Sequence, residues 1–214
     1  MTGLLAGLVA NLIVIFARFV TAVRGIWMSG PPDTRPKVYF ANHTSNGDFV
    51  LVWAALPHRV RSRTRPVAAS DYWLTNPLRA FVGREVFKAV LINRNPEERT
   101  EDPVQLMLNA LDDGSSLILF PEGKRNMGPD RLLPFKTGLY HLARQRIDTD
   151  LVPVWIENLN RALPKGEILP IPIICTVTFG PPIQIALNET KEDFLARAQA
   201  ALAKVAETVE RPRS

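Results

Sequence analysis

The first hydrophobic pattern in the chain is a long run near its beginning. Residues 3–17 are apolar except for Asn11, Arg18 then interrupts the run, and residues 19–23 continue it. A segment that is apolar nearly all round predicts a membrane-anchoring helix, with a buried core helix as the competing interpretation. Fifteen helical residues span only ~22 Å, which is short of a hydrocarbon core ~30 Å thick. We therefore expect residues 1–28 to form a monotopic or shallowly inserted anchor, with a full span to Val23 as the alternative.

The end of this run carries residues that suit a membrane surface. Arg18, Arg24 and Trp27 cluster there, and cations and an indole belong at the level of the lipid headgroups. Their positive charge predicts that the rest of the chain lies on the cytoplasmic face of the cell membrane. The segment lacks the basic region that precedes the apolar part of a cleaved signal peptide.

After a proline-rich break at residues 29–36, short apolar runs alternate with helix-compatible segments. The runs predict strands at 37–41, 67–69, 89–92, 117–120, 151–156 and 174–179. Helices are predicted at 48–56, 103–111 and 137–146, and a last amphipathic helix follows a capping-box pattern at Thr190 to Asp193. This alternation predicts an α/β fold, with one domain over residues 31–214 and a mixed, largely parallel sheet flanked by helices.

Composition narrows the possible partners. The 214 residues suit one domain with a sizeable core, and a net charge of +5 favours anionic partners such as phospholipid headgroups, nucleotide-bearing cofactors or nucleic acid. No nucleic-acid-binding motif is visible, so we expect no nucleic-acid partner. The single cysteine, Cys175, lies in an apolar run and is expected in the core rather than as a nucleophile. The three histidines are scattered without metal-binding spacing, so no metal is expected.

Asn42-His43-Thr44-Ser45-Asn46-Gly47-Asp48 places a histidine five positions before a carboxylate. On a regular helix this spacing leaves the two side chains ~140° apart. They can meet if His43 lies on the turn before a helix and Asp48 lies in its first turn. Asp48 would then accept the Nδ1 proton of His43 and leave Nε2 free as a general base. Taken alone, the pattern equally suits a hydrogen-bonded histidine at a strand end.

Phe120-Pro121-Glu122-Gly123-Lys124-Arg125 follows a predicted buried strand. Loops at that position in α/β folds bind ligands. Gly123 allows a tight turn, and Lys124 and Arg125 offer donors for a phosphate. The competing interpretation is a solvated turn with surface charges.

Together these segments resemble the glycerolipid acyltransferase family, which includes the 1-acylglycerol-3-phosphate (lysophosphatidic acid) acyltransferases. Four blocks occur in the order found in that family, between about Lys37 and Pro182. They are Asn42 to Asp48, Gly83 to Arg94, Phe120 to Arg125, and Leu151-Val152-Pro153-Val154-Trp155-Ile156. Phe135-Lys136-Thr137-Gly138 also fits the run that follows the third block.

The resemblance implies direct acyl transfer onto a hydroxyl, with His43 as the base and Asp48 as its orienting acid. The acceptor phosphate is expected on Arg94, Glu122, Gly123, Lys124 and Arg125. The expected donor is acyl-CoA or acyl-carrier protein, with no other cofactor, and the product is phosphatidic acid for phospholipid biosynthesis. Lys124 stands where the family usually has threonine, and Asn93 where an acidic residue is common, so the acceptor could be another lysolipid.

A different class of function is a non-catalytic lipid-binding or nucleic-acid-binding protein. Arginines recur at every second position from Arg59 to Arg65 and, if extended, would line one face of a strand. Such a stripe could face anionic lipid, the phosphates of CoA or an acidic carrier protein. A solvated edge strand protected from aggregation would carry the same pattern.

Overall fold

The computed structural model describes residues 2–157 and 175–210. The described chain forms one seven-stranded sheet with helices on both faces. The strands are β1 (Arg24–Trp27), β2 (Lys37–Ala41), β3 (Thr64–Ala69), β4 (Val90–Ile92), β5 (Ser116–Leu119), β6 (Asp150–Glu157) and β7 (Thr176–Phe179). The predicted α/β class, with a mixed and mostly parallel sheet, is confirmed.

The order of strands across the sheet is β1-β7-β6-β2-β5-β3-β4. The five strands from β6 to β4 are mutually parallel, whereas β7 pairs antiparallel with β6 and β1 pairs parallel with β7. The carboxyl ends of β2, β5, β3 and β4 therefore meet at one edge of the sheet. The residues that follow these strands form the candidate site, because loops at this edge are close in space.

Helices cover both faces of the sheet. They are α1 (Thr2–Thr21), α2 (Asp48–Ala55), α3 (His58–Arg61), α4 (Ser70–Trp73), α5 (Pro77–Phe81), α6 (Pro103–Asp112), α7 (Gly138–Gln145) and α8 (Lys191–Glu210), with a π-helical turn at Val82–Val86 and a 3₁₀ turn at Pro96–Glu98. One apolar core joins α1, α2 and the π-helical turn to the sheet, and a second joins α6, α7 and α8 to the other face. The central strands β2, β5 and β6 thus bury both of their faces, which explains why their sequences are nearly continuous apolar runs.

The predicted elements lie close to the observed ones. The strand at 37–41 matches β2, and the other five predicted strands agree with observed strands to within three residues at their described ends. Residue 174, at the start of the last predicted strand, lies outside the described residues. The cap of α8 is present, since Thr190 Oγ1 accepts a hydrogen bond from the Asp193 backbone N–H at 3.1 Å.

The alternating arginines do not form an extended stripe, so the condition on which both interpretations of the pattern depended is not met. His58–Arg61 is a turn of helix that follows Pro57, and only the later arginines lead into β3. Arg61 is buried, with its guanidinium over the Trp53 ring and Nη1 donating to the Leu56 carbonyl at 3.1 Å. Contact with α2 therefore determines the backbone here, and the two-residue period in the sequence is a coincidence of spacing.

Helix α1 has a protein-facing side and an exposed apolar side. Ala6, Val14, Ala17 and Thr21 are buried, and Arg18 Nη2 donates to the Ala54 carbonyl at 3.1 Å. The exposed side carries large apolar side chains at Leu4, Leu5, Leu8, Leu12, Ile15, Phe16 and Phe19. By length and composition the helix could cross a membrane. The chain then continues directly into β1, where Trp27 stacks on Phe179 with ring centroids 3.7 Å apart.

Candidate active site

The site is centred on His43, two residues beyond the end of β2. The preceding residue, Asn42, is buried and fixes this end of the strand to β6. Its Nδ2 donates to the Ile156 carbonyl at 3.1 Å, and its Oδ1 accepts from the Ile156 N–H at 2.8 Å. The side chain of Asn42 continues the ladder between β2 and β6, so the backbone at His43 starts from a rigid point.

Asp48 orients the imidazole of His43. The carboxylate begins α2, is fully buried, and has Oδ2 2.9 Å from Nδ1 of His43. The same oxygen accepts from the Thr44 and Ser45 backbone N–H groups at 2.6 and 2.8 Å. Because Oδ2 accepts hydrogen bonds, its contact with Nδ1 favours the His43 tautomer with its proton on Nδ1. This is the geometry that the five-residue spacing requires.

The imidazole is also held by stacking. The His43 ring lies on the Phe120 ring, with centroids 4.3 Å apart and planes 23° from parallel. Asp48 and Phe120 together fix the direction of the ring, while the side chain remains 21% exposed. With Nδ1 engaged by Asp48, Nε2 is the nitrogen available to a ligand.

Glu122 lies beneath the loop that carries His43 rather than facing solvent. It is 1% exposed, its Oε1 accepts from the His43 backbone N–H at 2.9 Å, and its Oε2 accepts from the Leu133 N–H at 2.9 Å. Burial raises the pKa of this carboxyl, and the two backbone donors partly oppose that effect. Both oxygens are occupied by protein donors, and a carboxylate repels a phosphate. The structure therefore assigns the Glu122 side chain to the support of His43, away from the phosphate contact expected from the sequence.

Asn126 completes the support of His43. Its backbone N–H donates to the His43 carbonyl at 2.6 Å, so both peptide groups of His43 are bonded to the loop that follows β5. The Asn126 side chain is buried, donates to the Asp130 carbonyl at 2.6 Å and accepts from the Gly128 N–H at 3.0 Å. Asn126 was not singled out from the sequence, and Phe120 was named only as part of its motif without a role, because an asparagine in a polar loop and an aromatic residue at a strand end are common.

The turn after Glu122 presents two cations to solvent. Gly123 has a φ of +70°, and a Cβ there would lie 3.1 Å from Cγ of Lys136. Lys124 and Arg125 follow this left-handed turn and are exposed, and within the described residues neither forms an ion pair. They are therefore available to an anionic ligand at the same edge of the sheet as His43.

Arg94 lies at this edge but apart from the other predicted residues. It follows β4, which is separated from β2 by β5 and β3, or by about 14 Å at a strand spacing of ~4.8 Å. Its guanidinium is hydrogen-bonded to both oxygens of Asp71 and lowers the pKa of that carboxyl. The structure thus brings together six of the seven predicted residues, in two adjacent loops and the first residue of α2, and leaves Arg94 in an exposed ion pair at the far side.

Residues 2–157 and 175–210 hold no group of three or more His, Cys, Asp or Glu side chains that could bind a metal ion. Cys175 is buried, and burial raises the pKa of its thiol to about 11, which disfavours the thiolate that a nucleophile requires.

A His–Asp pair at the carboxyl edge of a mixed sheet, beside an exposed pair of cations, defines a class of site suited to chemistry on a phosphorylated hydroxyl compound. The chain belongs to the acyltransferase family, whose family model matches residues 28–157. The fold is similar to the crystal structure of the 1-acyl-sn-glycerophosphate (LPA) acyltransferase PlsC from Thermotoga maritima. The TM-score is 0.72 at 20% identity, over 98% of this chain and 83% of that one.

Relatives with curated names are similar in sequence. The 1-acyl-sn-glycerol-3-phosphate acyltransferase of Limnanthes alba is 29% identical over 172 residues, covering 74% of this chain and 57% of the relative. That of Haemophilus influenzae is 33% identical over 116 residues, covering 50% and 42%. A protein named taffazin from Dictyostelium discoideum is 31% identical over 149 residues, covering 64% and 50%. The chain thus spans about half the length of the curated relatives it matches.

Proposed function

We propose that this protein transfers a fatty acyl group from acyl-CoA or acyl-carrier protein to the free hydroxyl of 1-acylglycerol-3-phosphate, forming phosphatidic acid. The observation that carries the proposal is the 2.9 Å contact between His43 and a fully buried Asp48, beside a loop with two exposed cations. The names of the Limnanthes alba and Haemophilus influenzae relatives, which specify this acceptor, support the choice of substrate.

The proposed reaction is a direct transfer without a covalent enzyme intermediate. His43 Nε2 takes the proton from the acceptor hydroxyl as that oxygen attacks the thioester carbonyl. The tetrahedral intermediate then breaks its C–S bond, and the leaving thiolate receives the proton from His43. A base in this position typically contributes 10²–10⁴-fold to the rate. Asp48 stabilises the transient imidazolium and keeps the ring in place.

We assign acceptor binding to the exposed cations at the same edge. Lys124 and Arg125 would bind the phosphate, with the fork of Arg125 suited to two phosphate oxygens. Gly123 has a positive φ, and Lys124 and Arg125 are the two residues directly after this turn. Arg94 would contribute if Asp71 released it, since both side chains of that pair are more than half exposed. Glu122 is proposed as a positioning residue.

The apolar face of α1 supports a membrane-bound enzyme. Seven large apolar side chains of α1 are exposed, whereas its other side packs on the domain. Burial of that face in the cytoplasmic leaflet would bring the site to a lysolipid without extracting the lipid into water. We therefore propose residues 1–28 as the anchor, residues 31–214 as the acyltransferase domain, and the cytoplasmic face of the cell membrane as the location. Packing along α1 and the entry of the chain into β1 favour a helix lying in the leaflet over one crossing it.

A second acceptor is favoured by Lys124. The extra exposed cation beside Arg125 suits a lysolipid whose headgroup carries more negative charge than a phosphomonoester. The chain is similar both to 1-acyl-sn-glycerol-3-phosphate acyltransferases and to the protein named taffazin. With the alternative acceptor, the proposed reaction would still be acyl transfer.

Acceptor-dependent thiol release tests the proposal. Purified protein in detergent is mixed with acyl-CoA, with and without lysophosphatidic acid, beside His43→Ala and the control His141→Ala, which removes an exposed histidine of α7. We expect release that requires the acceptor, persists in the control and disappears in His43→Ala. Release that survives in His43→Ala would refute His43 as the base. Acyl-carrier protein and a lysolipid panel replace the substrates if acyl-CoA gives no release.

A further inference from the structure

A cavity lies between α1 and the domain, near the amino end of β3. His43 lies at the opposite side of the sheet, where the carboxyl ends of the parallel strands meet. The cavity encloses about 150 Å³ and is lined by residues of α1, α2, α3, the start of β3 and the end of the π-helical turn. Its walls include Arg61, Arg65 and Lys88, and no Asp or Glu is among its lining residues in the described chain. A cavity with three permanent cations and no carboxylate is complementary to an anion.

The charges that line this cavity are not neutralised within the described residues. Arg61, Arg65 and Lys88 form no ion pair there. Arg61 is only 8% exposed. Its pKa is lowered chiefly by burial and further by the neighbouring positive charge of Arg18. Its described partners are the Leu56 carbonyl and the Trp53 ring, and neither of them is an anion. Burying a cation without a counterion is costly, and an anion in the cavity would remove that cost.

Helix α1 supplies the wall that identifies the kind of anion. Gly7, Ala10 and Asn11 line the cavity, and they lie on one side of the helix because they are three and four positions apart. Asn11 is the polar residue that interrupts the apolar run of residues 3–17, and Arg18, two turns further on, lies on the same side. Asn11 and Arg18 thus lie on the side of α1 that meets the cavity and the domain, while its large apolar side chains face outward.

An outward apolar face beside an inward cationic cavity matches the level of lipid headgroups. The apolar side chains would lie among the acyl chains, and the cations just above them would lie where phosphates occur. A second, open cleft shares Arg65 and Lys88 with the cavity and adds Arg84, with Asp113 as its one acidic lining residue. It gives a headgroup a route into the cavity along a surface that is still positive.

We propose that the cavity formed by α1, α3 and the start of β3 binds the phosphate of an anionic phospholipid, as a headgroup site separate from the catalytic edge. Such a site would orient the protein on its membrane and make its attachment depend on lipid charge. It gives a role to Asn11 and to two of the alternating arginines. The inference stands independently of acyl transfer, because its test measures membrane binding.

The first test removes a charge that lines the cavity and compares it with a charge that does not. Full-length protein is bound to vesicles of phosphatidylcholine with and without phosphatidylglycerol at fixed ionic strength. Lys88→Gln should lower the preference for anionic vesicles about fivefold, the equivalent of ~1 kcal/mol per surface cation. Arg63→Gln, which removes an exposed arginine outside both cavities, should change it less than twofold. Equal effects of the two substitutions would mean general surface attraction and would overturn the proposal.

The second test fills the cavity without changing the charge. Gly7 and Gly3 are both exposed on α1, and a Cβ at either meets nothing within 4 Å, but only Gly7 lines the cavity. Gly7→Leu should reduce the preference for anionic vesicles severalfold, whereas Gly3→Leu should leave it unchanged. An unchanged preference in Gly7→Leu would contradict the site.

Inorganic phosphate distinguishes a lipid headgroup from a soluble phosphate compound. At constant ionic strength, phosphate should compete weakly with anionic vesicles for the wild type and not for Lys88→Gln. Thermal stabilisation by free phosphate that Lys88→Gln abolishes, without any vesicle preference, would assign the cavity to a soluble ligand and refute the lipid site.

Discussion

Replacing Glu122 with glutamine tests whether the Glu122 side chain supports the backbone at His43, as a brace for that loop, or binds the acceptor phosphate. In the structure the two carboxylate oxygens accept from the backbone N–H groups of His43 and Leu133, 79 and 11 positions away in the chain. Glutamine has one oxygen and one NH₂ group, so one of these buried N–H groups would face another donor. A buried donor left without an acceptor costs about 1–3 kcal/mol.

The expected stability loss can be converted into a melting temperature. For a chain of this size, 1 kcal/mol lowers Tm by roughly 2–4 °C, so Glu122→Gln should melt roughly 2–12 °C below the wild type. Loosening the His43 backbone should also lower kcat, because displacement of a catalytic group by ~1 Å can cost about 10²-fold. The KM for lysophosphatidic acid should stay within about twofold, since the side chain does not face the ligand.

The assay is thermal unfolding combined with steady-state kinetics on both substrates. Glu101→Gln, which changes an exposed glutamate, is the matched control and should affect neither. A variant with wild-type Tm and kcat but a changed acceptor KM would refute the brace. The direction would also be informative, because a carboxylate near the phosphate repels it, so its removal would lower KM.

Four further outcomes follow from the same geometry. Asp48→Asn should lower kcat by about 10²–10⁴-fold, the usual rate contribution of general-base catalysis, with the acceptor KM nearly unchanged. Parallel rises in the acceptor and donor KM values would contradict this. Arg125→Ala should raise the acceptor KM by about 10- to 100-fold, since charge-assisted hydrogen bonds contribute about 1.5–3 kcal/mol, and should leave the donor KM unchanged. The reverse pattern would place Arg125 at the donor. Gly123→Ala should cost about 1–2 kcal/mol, because alanine is strained at positive φ, as measured by urea unfolding. Burial raises the pKa of Glu122 above its usual 4.5, so the folded state keeps that proton longer than the unfolded state. The contribution of Glu122 to the unfolding free energy should be fully present below about pH 4.5 and should be lost as pH rises from there to the raised pKa. Glu122→Gln should show a smaller fall over this range. Equal slopes of unfolding free energy against pH in the two proteins would contradict the assignment.

The strands could be predicted from sequence to the extent that burial alone determines them. β2, β5 and β6 are buried on both faces, and each is therefore a continuous apolar run. β1 was missed for the opposite reason. Its four residues, Arg24–Trp27, become a strand only by pairing with β7, about 150 positions later. The same residues suit a membrane interface, and no local pattern separates the two interpretations.

The roles of single side chains depended still more on distant contacts. The alternation from Arg59 to Arg65 resembled a strand, but Arg61 packs over Trp53 and bonds to the end of α2. His43 and Asp48 could be paired from sequence because only five positions separate them, and the geometry has a single solution at a strand-to-helix turn. The partner of Glu122 could not be predicted, because local spacing says nothing about a backbone group 79 positions away.

The register of the sheet explains why these two motifs form one site. β2 and β5 are adjacent and parallel, and Phe40 is aligned with Leu119. His43 lies three residues beyond Phe40, and Glu122 lies three residues beyond Leu119. The two residues therefore leave the sheet side by side. Once they are adjacent, the carboxylate meets the His43 N–H and the Asn126 N–H meets its carbonyl. The loop after β5 therefore holds His43 by its backbone while presenting its cations to solvent. A change in the alignment of these two strands would separate His43 from its support even if every motif residue were retained.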